Sequence, residues 1–186
     1  MDGRRLRQFK PGGIIIVFYD LWKLESLARL LTHLGFRMLR FLEWLKTNPV
    51  PINSKRFYLS NAREVAIAAV KGSNPIFNAE YHNGLFTMPI HREKRIHPTQ
   101  KPLALMKQLI EIHTDPGDIV LDPFAGSATT LLASIQLDRR AIGCELNPEY
   151  YSAALQRLNG ALLQTNIRRF QTQASVPMGR GKNSII

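Results

Sequence analysis

The segment Asp122-Pro123-Phe124-Ala125-Gly126-Ser127-Ala128-Thr129-Thr130 places small residues where the apolar run Ile119-Val120-Leu121 gives way to a helical pattern. Small side chains at a strand-to-helix turn let a ligand approach the backbone and meet the free amides of the helix N-terminus. Glu145 follows at the end of the next predicted strand, about 20 residues beyond the turn, where a carboxylate can accept hydrogen bonds from both hydroxyls of a ribose. Only Gly126 stands in the turn, and no Walker lysine follows it. The glycine fingerprint of a pyrophosphate site is therefore missing, and a nucleoside without phosphates fits better. Alone, the turn is an ordinary turn and the Glu a solvated carboxylate; their order along the chain carries the reading.

A second constellation is His97-Pro98-Thr99-Gln100-Lys101-Pro102. Two prolines stiffen a loop just before a helix, and Thr99, Gln100 and Lys101 offer donors for a carboxylate. Helix capping is the plainer alternative.

The elements that must hold these residues alternate between strand and helix. Lys10-Pro11-Gly12-Gly13 is a turn signal, and the β-branched run at 14–19 behind it reads as a strand buried on both faces. Residues 24–34 repeat apolar side chains at helical spacing, with Gly35 as a stop. Residues 36–45 read as a second strand and 64–70 as a third, although the alanines of the third would suit a short helix nearly as well. Two prolines make 47–53 a loop, and 73–95 reads mainly as loop. Pro102 suits a first helical turn, and Leu103, Met106, Leu109, Ile110 and His113 form an apolar stripe behind it. A strand at 119–122, a helix at 129–137, a buried strand at 141–145 and an amphipathic helix at 150–163 complete the pattern. After Asn166 the chain turns polar and basic and reads as a mobile tail over 167–186.

A chain of 186 residues suits one compact domain. Its 25 Lys and Arg against 14 Asp and Glu leave a formal charge of +11, which favours a polyanionic partner such as nucleic acid over an acidic small molecule. The single cysteine, Cys144, excludes an internal disulfide and a cysteine-cluster metal site. The longest apolar run, 14–19, is far short of the roughly 20 residues that span a bilayer, so a cytoplasmic protein with no membrane partner is expected.

Asp122-Pro123-Phe124-Ala125-Gly126-Ser127 resembles the cofactor motif of amino-group DNA methyltransferases that bind S-adenosylmethionine, and His97-Pro98-Thr99-Gln100-Lys101-Pro102 resembles that family's other cofactor motif. Their order is that of the family's β group. The resemblance implies a Rossmann-like α/β sheet with helices on both faces, forming a methyltransferase domain over residues 1–166 with a target-facing loop at about 46–95. It further implies a cofactor site of Asp122, Phe124, Ala125, Gly126, Ser127 and Thr129 with Glu145 on the ribose, and His97, Thr99, Gln100 and Lys101 toward the methionine end. No metal is required. Ala128 departs from the family's usual Gly, and its methyl group would crowd the start of the helix.

Trp44, Lys46, Asn48, Pro49 and Pro51 resemble the Lys-x-Asn-Pro-x-Pro loop of adenine-modifying members, with Arg56 and Tyr58 soon after. Lys46, Asn48 and Arg56 are thus expected to face double-stranded DNA: cations can neutralise phosphates, and aromatic faces can stack on an unpaired base. A solvated proline loop around a core Trp is the alternative.

The family's catalytic motif, a polar residue followed by Pro-Pro and an aromatic, is missing: no Pro-Pro pair occurs in the sequence. Ser73-Asn74-Pro75-Ile76-Phe77 is the nearest imitation and reads as a loop after the wrong strand. The catalytic residues are therefore unassigned. In the family, the strand carrying that motif lies between the strands corresponding to 14–19 and 119–122, so a central gap in the sheet is expected here. Three readings follow: a fragment of a site-specific adenine-N6 DNA methyltransferase, one part of a split enzyme completed by a second polypeptide, or a non-catalytic DNA-binding or regulatory module.

Overall fold

The structure is a computed structural model that describes residues 9–49, 60–90 and 95–174, with side chains through residue 163. Its strands form two separate hydrogen-bonded sheets. The first contains β1 (Ile14–Tyr19), β2 (Phe36–Lys46), β3 (Arg63–Lys71) and β4 (Leu85–Met88) in the order β1-β3-β2-β4. The second pairs β5 (Ile119–Asp122) with β6 (Arg140–Gly143) in parallel.

β3 is the spine of the larger sheet. It runs antiparallel to β1 on one side and to β2 on the other, and Ala66 to Val70 are all buried. Its alanines belong to a strand whose two faces are both covered, alongside the buried Val65, Ile67 and Val70. On one face Ile67 and Ala69 meet Leu27 and Leu31 of α1 (Leu24–His33). On the other, Ala66 and Ala68 meet Leu105 and Leu109 of α2 (Leu103–His113), together with Leu42, Trp44 and Phe86. Period-two alternation thus divides one strand between two cores, and the α/β fold with helices on both faces is present.

The smaller unit is covered by α3 (Thr129–Gln136) and α4 (Pro148–Ala174), whose contact centres on Ala128, Leu131 and Ala154. Arg139 joins it to the end of α2, donating to the Thr114 hydroxyl at 3.0 Å and the Thr114 carbonyl at 2.6 Å.

Several expectations need correction. β1 is only half-buried along its length rather than buried on both faces, because β3 pairs with one edge and no strand among the described residues pairs with the other. β5 likewise exposes Ile119 at 54% and Leu121 at 56%. Two separate sheets thus stand where one sheet with a central gap was anticipated. The segment read as loop contains β4, which pairs in parallel with β2. The last strand stops at Gly143, placing Glu145 just beyond it. The helix read as ending near 163 continues to Ala174, so 167–174 are helical in backbone, not part of a tail; 175–186 lie outside the described residues.

Candidate functional site

The turn between β5 and α3 is built by hydrogen bonds to the end of β6. Ala125 N–H donates to the Cys144 carbonyl at 2.9 Å, and Cys144 N–H donates to the Asp122 carbonyl at 3.1 Å. The Asp122 carboxylate accepts the Phe124 amide at 3.0 Å, closing an Asx turn, while the Phe124 ring stands 71% exposed.

Glu145 completes this arrangement. Its Oε2 accepts the Gly126 amide at 2.7 Å and its Oε1 accepts the Asn147 amide at 2.9 Å. These bonds, that from Asn147 first, hold the carboxyl below its ordinary range. The carboxylate expected on a ribose is thus beside the turn, ionised and reachable from solvent.

His97 brings the second motif to the same place. Its ring meets Tyr150 edge-on at 4.5 Å, and it faces the α-carbon of Gly126 closely enough that a β-carbon there would lie 3.6 Å from the imidazole. Gly126 is also at φ 51°, a backbone conformation that suits glycine. Within the loop, Thr99 pairs with His97 Nδ1 through its amide at 3.2 Å and its hydroxyl at 3.0 Å, and the Gln100 side-chain carbonyl accepts the Ile96 amide at 3.1 Å. His97, Gly126, Glu145 and Tyr150 therefore form one cluster.

Lys101 turns the other way. Its ammonium lies 2.7 Å from Glu64 of β3 and 5.0 Å from the centre of the Phe18 ring of β1. Glu64 also pairs with Lys46 at 2.9 Å, and Lys46 in turn lies over the Trp44 ring. Trp44 itself is core, as the plainer reading held: it is buried and donates its indole N–H to the Met88 carbonyl at 2.9 Å.

Three expected contacts look inward instead. Ser127 and Thr129 are buried, their hydroxyls 3.0 Å apart, and Arg157 of α4 donates to the Ser127 carbonyl at 2.8 Å and the Thr129 hydroxyl at 3.1 Å. Their side chains hold the turn to α4. The Asn48 amide clamps the Ile90 backbone, accepting its N–H at 2.6 Å and donating to its carbonyl at 3.2 Å. Arg56 lies outside the described residues. Asn74 sits at the opposite end of β1 from Phe18, against Gly12, which keeps the imitation motif away from the turn.

Ala128 occupies the left-handed region, at φ 56° and ψ 32°, and is wholly buried. Glycine accepts that conformation without strain, whereas alanine adopts it at a cost of roughly 1–2 kcal/mol. The reason for glycine at this position is thus the backbone as much as the space.

With the turn, its acid and the proline loop in place, the comparisons with known proteins decide the family: residues 4–156 match the N6/N4 DNA methylases. This chain belongs to that family. The chain is 32% identical over 167 residues to the type II methyltransferase M2.DpnII of Streptococcus pneumoniae, covering 80% of this chain and 61% of that protein. It is 34% identical over 152 residues to the putative methylase YubD of Escherichia coli, covering 82% and 64% respectively. The chain thus spans somewhat under two thirds of the length of these curated relatives. Among solved structures, M1.HpyAVI in complex with SAM superposes with a TM-score of 0.76 at 39% identity, over 84% of this chain and 79% of that one. The cytosine-N4-specific PvuII DNA methyltransferase shares the fold, with a TM-score of 0.67 at 21% identity over 78% and 64% of the two chains.

Among the described residues, no group of three or more His, Cys, Asp or Glu is placed to hold a metal ion, and no helix is long and apolar enough to cross a membrane.

Proposed function

We propose that this chain is the cofactor-binding and target-facing part of an adenine-N6 DNA methyltransferase, and that an extended segment carrying the amine-binding motif completes its sheet. The observation that carries this reading is that, among the described residues, β1 and β5 each pair on one side only, while the turn with Glu145 and the proline loop with Lys101 stand beside them. Unpaired backbone in a sheet interior is costly, and a strand added at such an edge satisfies it. Whether that segment belongs to the same polypeptide or to a second one, it would enter between β1 and β5.

The residues suit S-adenosylmethionine. Glu145 would accept the ribose hydroxyls on its remaining lone pairs, the exposed Phe124 ring offers a flat apolar face, and Lys101 would receive the carboxylate of the methionine end. Lys46 would take a DNA phosphate. The cofactor, when bound, supplies an activated methyl group; the protein's own part is to orient it and to hold the target base out of the duplex. Adenine is favoured over cytosine by the Lys46-x-Asn48-Pro49-x-Pro51 loop.

The test is co-expression with a segment bearing an Asp-Pro-Pro-Tyr motif, followed by transfer of labelled methyl groups to duplex DNA and mass spectrometry of its nucleosides. N6-methyladenine is the expected product. Salt-sensitive DNA binding without methyl transfer, whatever segment is supplied, would support instead a non-catalytic DNA-binding module, the reading favoured by the charge of +11.

A further inference from the structure

Glu64 stands between the two motifs. It is the second residue of β3, paired in register with Trp44, and its two carboxylate oxygens are divided between two lysines: Oε1 to Lys46 at 2.9 Å and Oε2 to Lys101 at 2.7 Å. All three side chains are largely withdrawn from solvent, with exposures of 11% for Lys46, 22% for Lys101 and 30% for Glu64. Burial pushes the Glu64 carboxyl up, but Lys101 beside it, and then Lys46, outweigh this and hold it below the ordinary range.

Such an arrangement restricts two long, flexible side chains. Lysine carries three donors on a stem with several free torsions, and it recognises anions poorly unless something fixes where the ammonium sits. Here one carboxylate fixes both ammoniums, and the Phe18 and Trp44 rings bound the space on either side. Lys101 keeps donors beyond the one engaged by Glu64, and Lys46, which also donates to the Asn61 carbonyl at 3.5 Å, keeps one.

We propose that Glu64 is a positioning residue that sets the ammoniums of Lys101 and Lys46 for the two anions of the reaction, the carboxylate of the cofactor and a phosphate of the DNA. The inference rests on the functional reading of those two lysines given above. It makes an unusual demand, that a negative charge assist the binding of two negative ligands.

That demand is the test. S-adenosylmethionine binding is measured by titration calorimetry, and binding of a fluorescent duplex by anisotropy across a salt series, for the parent chain, Glu64→Gln and Glu64→Asp. Positioning predicts that Glu64→Gln weakens both ligands by roughly threefold or more, the scale of a modest ion-pair contribution, and lowers the steepness of the log–log salt dependence by about one, as expected for a lost phosphate contact. The cofactor effect should vanish in a Lys101→Gln background and the DNA effect in a Lys46→Gln background. Glu64→Asp, which keeps the charge but retracts it, shows the same direction and serves where Glu64→Gln fails to fold. Unchanged or tighter binding of both anions by Glu64→Gln is what simple removal of a nearby carboxylate would give, and it overturns the proposal. A parent chain that binds neither ligand contradicts the functional reading itself, and the inference falls with it.

Discussion

The carboxylate of Glu145 closes onto the backbone of the turn it faces, accepting the Gly126 amide at 2.7 Å across the end of β6. Each carboxylate oxygen has a further lone pair for a ribose hydroxyl, so the bond that holds the turn in shape without ligand leaves acceptor capacity for one. The shift in Glu145 sets the pH dependence: its folded-state value is depressed, so its stabilisation is present above the unfolded value and is lost as pH falls through the folded one. Exchange of the Gly126 amide should therefore lose protection on acidification below the ordinary carboxylate range, after correction for intrinsic rates. Glu145→Gln should show no such step.

Ala128 gives a second prediction. At φ 56° a glycine costs nothing sterically, while a β-branched residue is strained and has no space in a wholly buried position. Ala128→Gly should remain within about 1 kcal/mol of the parent in urea unfolding, since relief of the left-handed strain offsets the lost methyl contact. Ala128→Val should lose about 3 kcal/mol or more.

Arg157 is half-buried, and desolvation lowers its pKa; it donates to the Ser127 carbonyl and the Thr129 hydroxyl. Removing it takes the guanidinium donor from the Ser127 carbonyl, while the Thr129 hydroxyl keeps Ser127 Oγ; loss of a buried hydrogen-bond partner costs about 1–3 kcal/mol. Arg157→Met should lower stability by that amount in urea unfolding and weaken S-adenosylmethionine several-fold, although the side chain faces away from the exposed side of the turn. An unchanged affinity would separate the helix packing from the site.

Much of this was legible in the sequence for physical reasons. The β-branched run at 14–19 and the apolar run at 119–122 have one plausible conformation each, and the small-residue turn with its acid about 20 residues on specifies a strand-turn-helix-strand unit. The division into two sheets was not: the sequence led to a single sheet with a central gap. What remained hidden depends on tertiary placement. Glu64 opens the strand read from the sequence like any end-of-strand carboxylate, and only the register that sets it opposite Trp44 brings Lys46 and Lys101 to it. Arg157 is one cation among several on an amphipathic helix, and Ser127 and Thr129 look like ligand contacts until α4 covers them. β4 is four residues between loops; its one signal is Gly84, at φ 79°, where a β-carbon would meet the Phe41 carbonyl at 2.6 Å.

The same Gly84 supplies a test of that added strand. Gly84→Ala combines a strained φ with a clash against backbone, which does not yield, and should cost about 2–4 kcal/mol. Hydrogen exchange should show the loss concentrated in β4 and the adjoining end of β2.

The central claim is that the β5–α3 turn and Glu145 form a working cofactor site within this chain. Titration calorimetry of the purified chain with S-adenosylmethionine, repeated with Asp122→Ala and Glu145→Ala, tests it most directly. The account predicts one site in the parent, weakened at least tenfold in both variants, about 1.4 kcal/mol or more. Equal affinity in all three proteins, or no binding by the parent, would contradict it.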